Sequence, residues 1–264
     1  MITSLQNSRV KLCVALRDRR SRKDTGLFLI EGYREITRAI DAGRTIETLL
    51  ICPELFLGEK NEELIKKCGG EVLECTPEVF AKISYRDRPD GLLALAPQLH
   101  LGLEELKLSK NPFFLVAESI EKPGNLGTIL RSSDAAGVDA VIVCDPTTDI
   151  HNPNVVRSSI GTLFTLPVLE AGSEETLQYL KKQNIALVAA TPHAEKEYTE
   201  VDLTVPLAIV VGTEQYGLSE NWMKQADTLV RIPMCGVADS LNVASATTLM
   251  LYEVLRQRRN SLQR

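Results

Sequence analysis

Apolar residues in this chain fall into short blocks separated by polar turns rich in glycine and proline. Across residues 5–20, apolar and basic positions alternate with roughly helical spacing, so Leu5, Leu12 and Leu16 can share one face. An apolar run at Leu27-Phe28-Leu29-Ile30, ended by Glu31-Gly32, predicts a strand. A helix is predicted over Tyr33–Ala42, a strand over Ile46–Ile51, a helix around Glu54–Lys67 and a strand at Glu71–Glu74. Thr76-Pro77 opens a further helix, since proline suits a first helical turn, and Gly91–Ala96 is another apolar run. Strands alternating with helices indicate a small α/β domain over residues 1–98.

Strand signal lapses over 99–112, where Gly102, Ser109 and Asn111 mark a linker. A second alternation then fills 113–264. Strands are predicted at Phe113–Ala117, Ala140–Cys144, Thr165–Leu169, Ile185–Ala190, Leu207–Val211 and Leu229–Ile232. Helices are predicted at 126–136, 153–160, 173–183 and 242–258. Runs such as Ala140-Val141-Ile142-Val143 and Ala208-Ile209-Val210-Val211 are apolar without alternation, as expected of parallel strands buried on both faces.

Composition keeps the chain in the globular class. Hydrophobic residues make up 44% of its 264 positions and charged residues 25%, so neither a disordered nor a fibrous protein fits. No apolar run approaches the roughly 20 residues of a membrane span. Met1–Asn7 lacks a basic-then-apolar signal pattern, so a cytoplasmic location is expected. The six cysteines form no CxxC pair and read as reduced, mostly core thiols. His100, His151 and His193 lack zinc-ligand spacing, and no metal site is expected.

Net charge is −5, but it is unevenly placed. Residues 1–24 hold seven basic side chains (Arg9, Lys11, Arg17, Arg19, Arg20, Arg22 and Lys23) against Asp18 and Asp24. Residues 255–264 add Arg256, Arg258, Arg259 and Arg264 without an acid, which leaves −14 in between. Basic ends on an acidic body suit a polyanion-binding surface, with RNA contacts at the seven N-terminal residues. A solvated helix face and a frayed tail would look the same.

In open α/β sheets ligands bind beyond the carboxyl ends of the strands, and four segments there carry candidate chemistry. In Glu118–Arg131 a Pro123-Gly124-Asn125 turn opens a helix bearing Gly127 and Arg131, a combination suited to a phosphate. The plainer alternative makes Asn125 an N-cap and Arg131 half of a surface ion pair. In Val211–Leu218, Gly212 and Gly217 flank Glu214, permitting close approach of a flat or ribose-bearing ligand whose hydroxyls Glu214 would accept from. This is neither GxGxxG nor a P-loop. In Arg231–Ala246, Asp239, Ser240 or Asn242 can cap a helix whose first turn is built of small residues. Ala189–His193 is a strand end where Thr191 can face the same ligand.

In this order the segments resemble the SpoU (TrmH-like) branch of the SPOUT methyltransferase superfamily. The resemblance covers about residues 113–258 and rests on Asn125-x-Gly127-x-x-x-Arg131, on Gly212-x-Glu214-x-x-Gly217, and on the long run from Ile232 to Ala244. Asn152–Gly161 also looks like that family's segment, and the first domain, with its Phe28-Leu29-Ile30-Glu31-Gly32 run, is similar to the family's substrate-binding domain, which has a fold like a ribosomal protein that binds RNA. The resemblance implies a trefoil knot in the second domain, against the general rule that chains do not thread loops. It implies S-adenosylmethionine as cofactor, bound near Thr191, Val211, Gly212, Gly217, Ile232, Met234, Leu241 and Ala244. It further implies a homodimer with active sites at the subunit interface, and methyl transfer to a ribose 2′-hydroxyl in ribosomal or transfer RNA.

The same resemblance makes Asn125, Arg131, Glu214, Ser240 and Asn242 the catalytic set, with Arg131 as base. A guanidinium with a pKa above about 12 is a poor proton acceptor. We therefore expect Arg131 to clamp the phosphate and stabilise alkoxide charge, with Ser240, Asn242 or water passing the proton. Glu214 is expected to position the cofactor or its own loop. Two other classes stay open on sequence alone: a non-catalytic RNA-binding protein on a methyltransferase scaffold, and a dinucleotide enzyme, against which the missing glycine fingerprint counts.

Overall fold

The computed structural model describes residues 1–261; Arg264, the last of the four C-terminal arginines, lies outside the described residues. The chain opens with helices α1 (Ser8–Ala15) and α2 (Arg19–Thr25), strand β1 (Leu27–Glu31), helix α3 (Tyr33–Asp41) and strand β2 (Thr48–Ile51). Helix α4 (Asn61–Lys67), strand β3 (Glu71–Glu74), helix α5 (Pro77–Ile83) and strand β4 (Leu92–Pro97) follow. Strand β5 (Phe113–Glu118), helix α6 (Pro123–Ala136) and strand β6 (Ala140–Cys144) begin the second alternation. After them come helices α7 (Pro153–Ser158) and α8 (Thr162–Thr165), strand β7 (Val168–Ala171), helix α9 (Ser173–Lys182), and strands β8 (Ala186–Ala190), β9 (Lys196–Glu197) and β10 (Leu207–Val211). Helix α10 (Glu220–Gln225), strand β11 (Thr228–Arg231) and helix α11 (Val243–Ser261) complete the described fold.

These elements form two compact units. The first is Met1–Leu99 together with His151–Thr165; the second is His100–Ile150 and Leu166–Arg264. The first unit holds a mixed sheet ordered β1-β4-β2-β3, antiparallel except for the β2–β3 pair. Segment His151–Thr165 is a late part of the chain that packs here. His151 Nε2 accepts from Leu99 N–H at 2.9 Å, and its ring centroid lies 4.8 Å from that of Phe28. Arg38 donates to Ile160 O at 2.6 Å, and Gly161 (φ +88°) lies so close that an added Cβ would sit 2.8 Å from Arg38 Cδ.

The expected single helix over 5–20 is two helices. Asp18 starts the second by accepting from Ser21 N–H at 3.1 Å. Arg22 explains the break: its side chain is 1% exposed and donates to the carbonyls of Leu16 and Arg17, both at 2.9 Å. Arg22 therefore leaves the basic surface to which it was assigned, since its donors satisfy the carbonyls of the C-cap Leu16 and of Arg17 in the break after α1. Arg9 pairs with Glu71 at 3.2 Å, and Arg17 donates to Lys82 O and Ser84 O. Lys11, Arg19, Arg20 and Lys23 are exposed.

The second unit is a seven-stranded sheet ordered β7-β6-β5-β10-β8-β11-β9, with every pair parallel. Strands β5, β6 and β10 are buried along their whole length, which accounts for their unbroken apolar sequences. The strand expected at Thr165–Leu169 divides into α8 and β7, because Pro167 interrupts it. Sequence patterning gave no sign of β9 or α10, although Trp222 of α10 is fully buried and donates to Ser173 Oγ at 2.9 Å. Five of the six cysteines are buried, and Cys235 is exposed. Burial pushes the Cys13, Cys75 and Cys144 thiols up to about 12, so they stay protonated and unreactive at neutral pH. Among the described residues no helix is long and apolar enough to cross a membrane, and no cluster of side chains could hold a metal ion.

Arg22→Met keeps most of the buried stem but takes the donor from the Leu16 and Arg17 carbonyls between α1 and α2. The expected cost is about 1–3 kcal/mol in chemical denaturation. Unchanged stability would contradict this structural role.

Candidate active site

Parallel pairing puts the exits of β5, β6, β10, β8 and β11 at one edge of the second unit's sheet, with Ala117 opposite both Val143 and Val211, and Val230 opposite Ala190. The chain order reverses between β5 and β10, the position where open α/β sheets bind ligands. Two carboxylates join the exits of these neighbours. Glu214, after β10, accepts from the backbone N–H groups of Glu121 and Lys122 at 2.9 and 3.0 Å and from Asn125 Nδ2 at 2.7 Å. In the reverse direction, Glu118 at the end of β5 is buried and accepts from Ser219 N–H at 2.9 Å.

The Glu214 contacts continue into the third segment. Asn242 Nδ2 donates to Asn125 Oδ1 at 3.1 Å, while Asn242 Oδ1 accepts from Ala244 N–H at 2.9 Å and Ser245 N–H at 3.4 Å. Asn242 thus caps α11, and its amide ties that cap to α6. Three segments distant in sequence are locked together by Glu214, Asn125 and Asn242. Asn125 is not the cap of α6. That helix starts at Pro123, with Lys122 preceding it, so Asn125 lies inside the first turn with its side chain free to bridge.

Burial pushes the Glu214 carboxyl pKa upward, but hydrogen bonds from Glu121 N–H, the Asn125 amide and Lys122 N–H outweigh it. The net position is below the usual carboxylate range. Gly212 is required by this turn itself. A Cβ there would lie 2.2 Å from the carbonyl carbon and oxygen of Gly217. Thr213 and Gly217 close the hairpin with mutual backbone bonds of 2.9 and 3.1 Å, and Gly217 takes φ +71°.

Around this scaffold the other candidates divide into buried and exposed sets. Thr191, Val211 and Ala244 are buried, with Thr191 N–H donating to Val230 O at 2.9 Å. Ile232 and Met234 are half-buried, and Leu241 is exposed. Across 232–241 no backbone–backbone hydrogen bond is made among the described residues, leaving a run of polar groups open to a ligand. Arg131 and Ser240 are exposed and make no hydrogen bond or ion pair among the described residues. Glu118 was missed by sequence reading because it ends a fully apolar run and looks like the strand's polar boundary. Thr148, which donates to Glu121 O at 2.6 Å and steadies the same turn, carried no sequence signal.

Residues 112–252 match the SpoU rRNA Methylase family, and residues 7–94 match the MRM3-like substrate binding domain. A 23S rRNA (uridine(2479)-2′-O)-methyltransferase of Streptomyces viridochromogenes is 32% identical, over 92% of this chain and 87% of its own. Among solved structures, an RNA 2′-O ribose methyltransferase is 46% identical with a TM-score of 0.86, covering 98% of this chain and 99% of that one. An AdoMet-bound rRNA methyltransferase from Sinorhizobium meliloti is 33% identical with a TM-score of 0.89, covering 97% of both chains.

A depressed folded pKa stabilises above the unfolded value and loses that contribution as pH falls through the folded one. The stability gap between the wild type and Glu214→Gln should therefore be flat near neutrality, at about 1.5–3 kcal/mol. It should shrink below the ordinary carboxyl value of 4.5. Denaturation at a series of pH values measures the gap, and one that widens on acidification would contradict the assignment.

Proposed function

The chain belongs to the SpoU rRNA methylase family, and on that premise we propose that it is an S-adenosylmethionine-dependent RNA methyltransferase acting on a ribose 2′-hydroxyl, with ribosomal rather than transfer RNA as substrate. The observation that carries this reading is the lock of three turns by Glu214, Asn125 and Asn242, with Arg131 and Ser240 left unpartnered beside it. S-adenosylmethionine supplies a methyl group on a sulfonium. The open backbone groups of 232–241 and the buried strand ends at Thr191 and Val211 fit its base and ribose, which need directional donors and acceptors on an apolar floor.

The reaction is an in-line displacement in which a carbon–oxygen bond forms as a carbon–sulfur bond breaks, so alignment supplies much of the rate. Arg131 is free to clamp a phosphate of the target nucleotide and to stabilise negative charge on the attacking oxygen. The hydroxyl proton passes to solvent water, directly or relayed through the Ser240 hydroxyl, which gives up its own proton as it accepts one. Asn242 is committed on both sides of its amide, which makes it a positioning residue rather than a proton carrier. Glu214 likewise holds turns together and does not meet substrate hydroxyls.

Residues 1–98 form the RNA-binding domain in this reading, 99–112 the linker and 113–264 the methyltransferase domain, acting in the cytoplasm. A homodimer is supported by the apolar stripe on α11, where Leu249 is 41% and Tyr252 47% exposed. A trefoil knot in the second unit belongs to the same reading, with β10 lying between β5 and β8.

Incubation with methyl-labelled S-adenosylmethionine and unmodified ribosomal RNA should place the label in an alkali-resistant dinucleotide, because a methylated 2′-oxygen cannot attack the neighbouring phosphate. Arg131→Ala should abolish the transfer while leaving cofactor affinity nearly intact. Label on a base, or normal turnover by that variant, would overturn the reading.

A further inference from the structure

We propose that Tyr85, in the first unit, is a stacking platform for an unpaired base of the RNA, an inference that rests on the RNA methyltransferase reading above. Tyr85 sits in the turn between α5 and β4 and is the one aromatic ring of that unit more than a third exposed, at 40%. Exposed tyrosines usually move freely, but this one is held at its backbone, its hydroxyl and its ring. Its N–H donates to Glu31 Oε2 at 2.8 Å, and the other Glu31 oxygen accepts from Ser84 Oγ at 2.5 Å. Arg86, next along, donates to Glu31 O at 2.6 Å and pairs with buried Glu35 at 3.0 Å. The backbone on both sides of Tyr85 is thereby pinned to β1 and α3.

The ring is held as firmly. Asn154 Nδ2 donates to the Tyr85 hydroxyl at 3.0 Å. The Arg17 guanidinium lies over the ring, 5.9 Å from its centroid, and is itself anchored on Lys82 O and Ser84 O at 2.8 and 2.7 Å. Three stretches of chain (the basic N-terminal segment, the 84–91 turn and α7) thus converge to hold one ring still while leaving it open to solvent. Folding has already met the ordering cost of that side chain, so a ligand that stacks on it loses little entropy.

The surroundings select a nucleobase. Arg88, three residues on, and Arg157, one helical turn after Asn154, are exposed and make no ion pair among the described residues. Asp87 is the turn's one exposed acid, against Arg88 and Lys82 of the neighbouring sequence. No other exposed large hydrophobic residue lies in the turn, so an apolar protein partner would find no patch. A flat ring amid unpaired cations is the arrangement that takes single-stranded nucleic acid, base on ring and phosphate on arginine.

Tyr85→Ala, Tyr85→Phe and Asn154→Ala test the inference by methylation of unmodified 23S rRNA transcript and by quenching of a single-stranded oligoribonucleotide carrying 2-aminopurine. Tyr85→Ala should raise the KM for the transcript by about five- to a hundredfold, the range of one lost base stack, with S-adenosylmethionine affinity unchanged and quenching lost. Tyr85→Phe keeps the ring and should stay within about twofold of wild type. Asn154→Ala removes the tether alone and should cost less than Tyr85→Ala. If Tyr85→Ala binds RNA as the wild type does, or Tyr85→Phe fails as badly as Tyr85→Ala, the platform is refuted; in the second case the hydroxyl and not the ring is what the RNA needs. Wild-type protein that quenches the oligonucleotide but methylates no ribosomal RNA would instead count against the methyltransferase reading, while the loss of quenching in Tyr85→Ala would still support the platform.

Discussion

One half-buried carboxylate, Glu214, sets the geometry on which the second unit's chemistry depends. It takes three donors from the turn after β5, and through Asn125 it reaches Asn242 and the first turn of α11. A carboxylate in such a place is costly unless its lone pairs are satisfied. Here that cost is offset only when the exits of β5 and β10 meet in register, and Asn242 then ties the start of α11 to the same Asn125 amide. The charge therefore acts as a test of correct assembly, and Glu118 repeats the device in the opposite direction through Ser219.

This arrangement separates scaffold from chemistry. Glu214, Asn125 and Asn242 spend their hydrogen bonds on one another and on the backbone, whereas Arg131 and Ser240 remain unengaged among the described residues. Preorganised turns with a few free polar groups suit a displacement in which alignment contributes more than acid–base strength. The first unit applies the same economy to its surface. Arg22 and Arg17 of the basic segment are used to shape the fold, and the ring of Tyr85 is fixed before any ligand arrives.

The fold was largely legible because strands buried on both faces cannot alternate, so β5, β6 and β10 announced a parallel sheet. The site was legible as a set of loops but not as a mechanism. Asn125 looked like a cap because Asn often is one, yet Pro123 had already taken the helix start. Gly212 looked like room for a ligand, and the structure adds a second reason for glycine, since Gly217 of its own hairpin occupies the place a Cβ would take. Arg22 looked like surface because charge in a basic run usually is, and only the carbonyls left by the break after α1 show otherwise. The packing of His151–Thr165 with the first unit had no local sequence signal at all, since its partners lie more than fifty positions away.

A double-mutant cycle on S-adenosylmethionine affinity tests the lock most directly. Glu214→Ala and Asn242→Ala touch residues that meet only through Asn125, so each should weaken binding, and the double variant should lose less than the two losses combined. The account predicts a coupling of about 0.5–3 kcal/mol, the range for members of one hydrogen-bond network. Losses that add to within about 0.5 kcal/mol would mean that the three turns do not act as one unit.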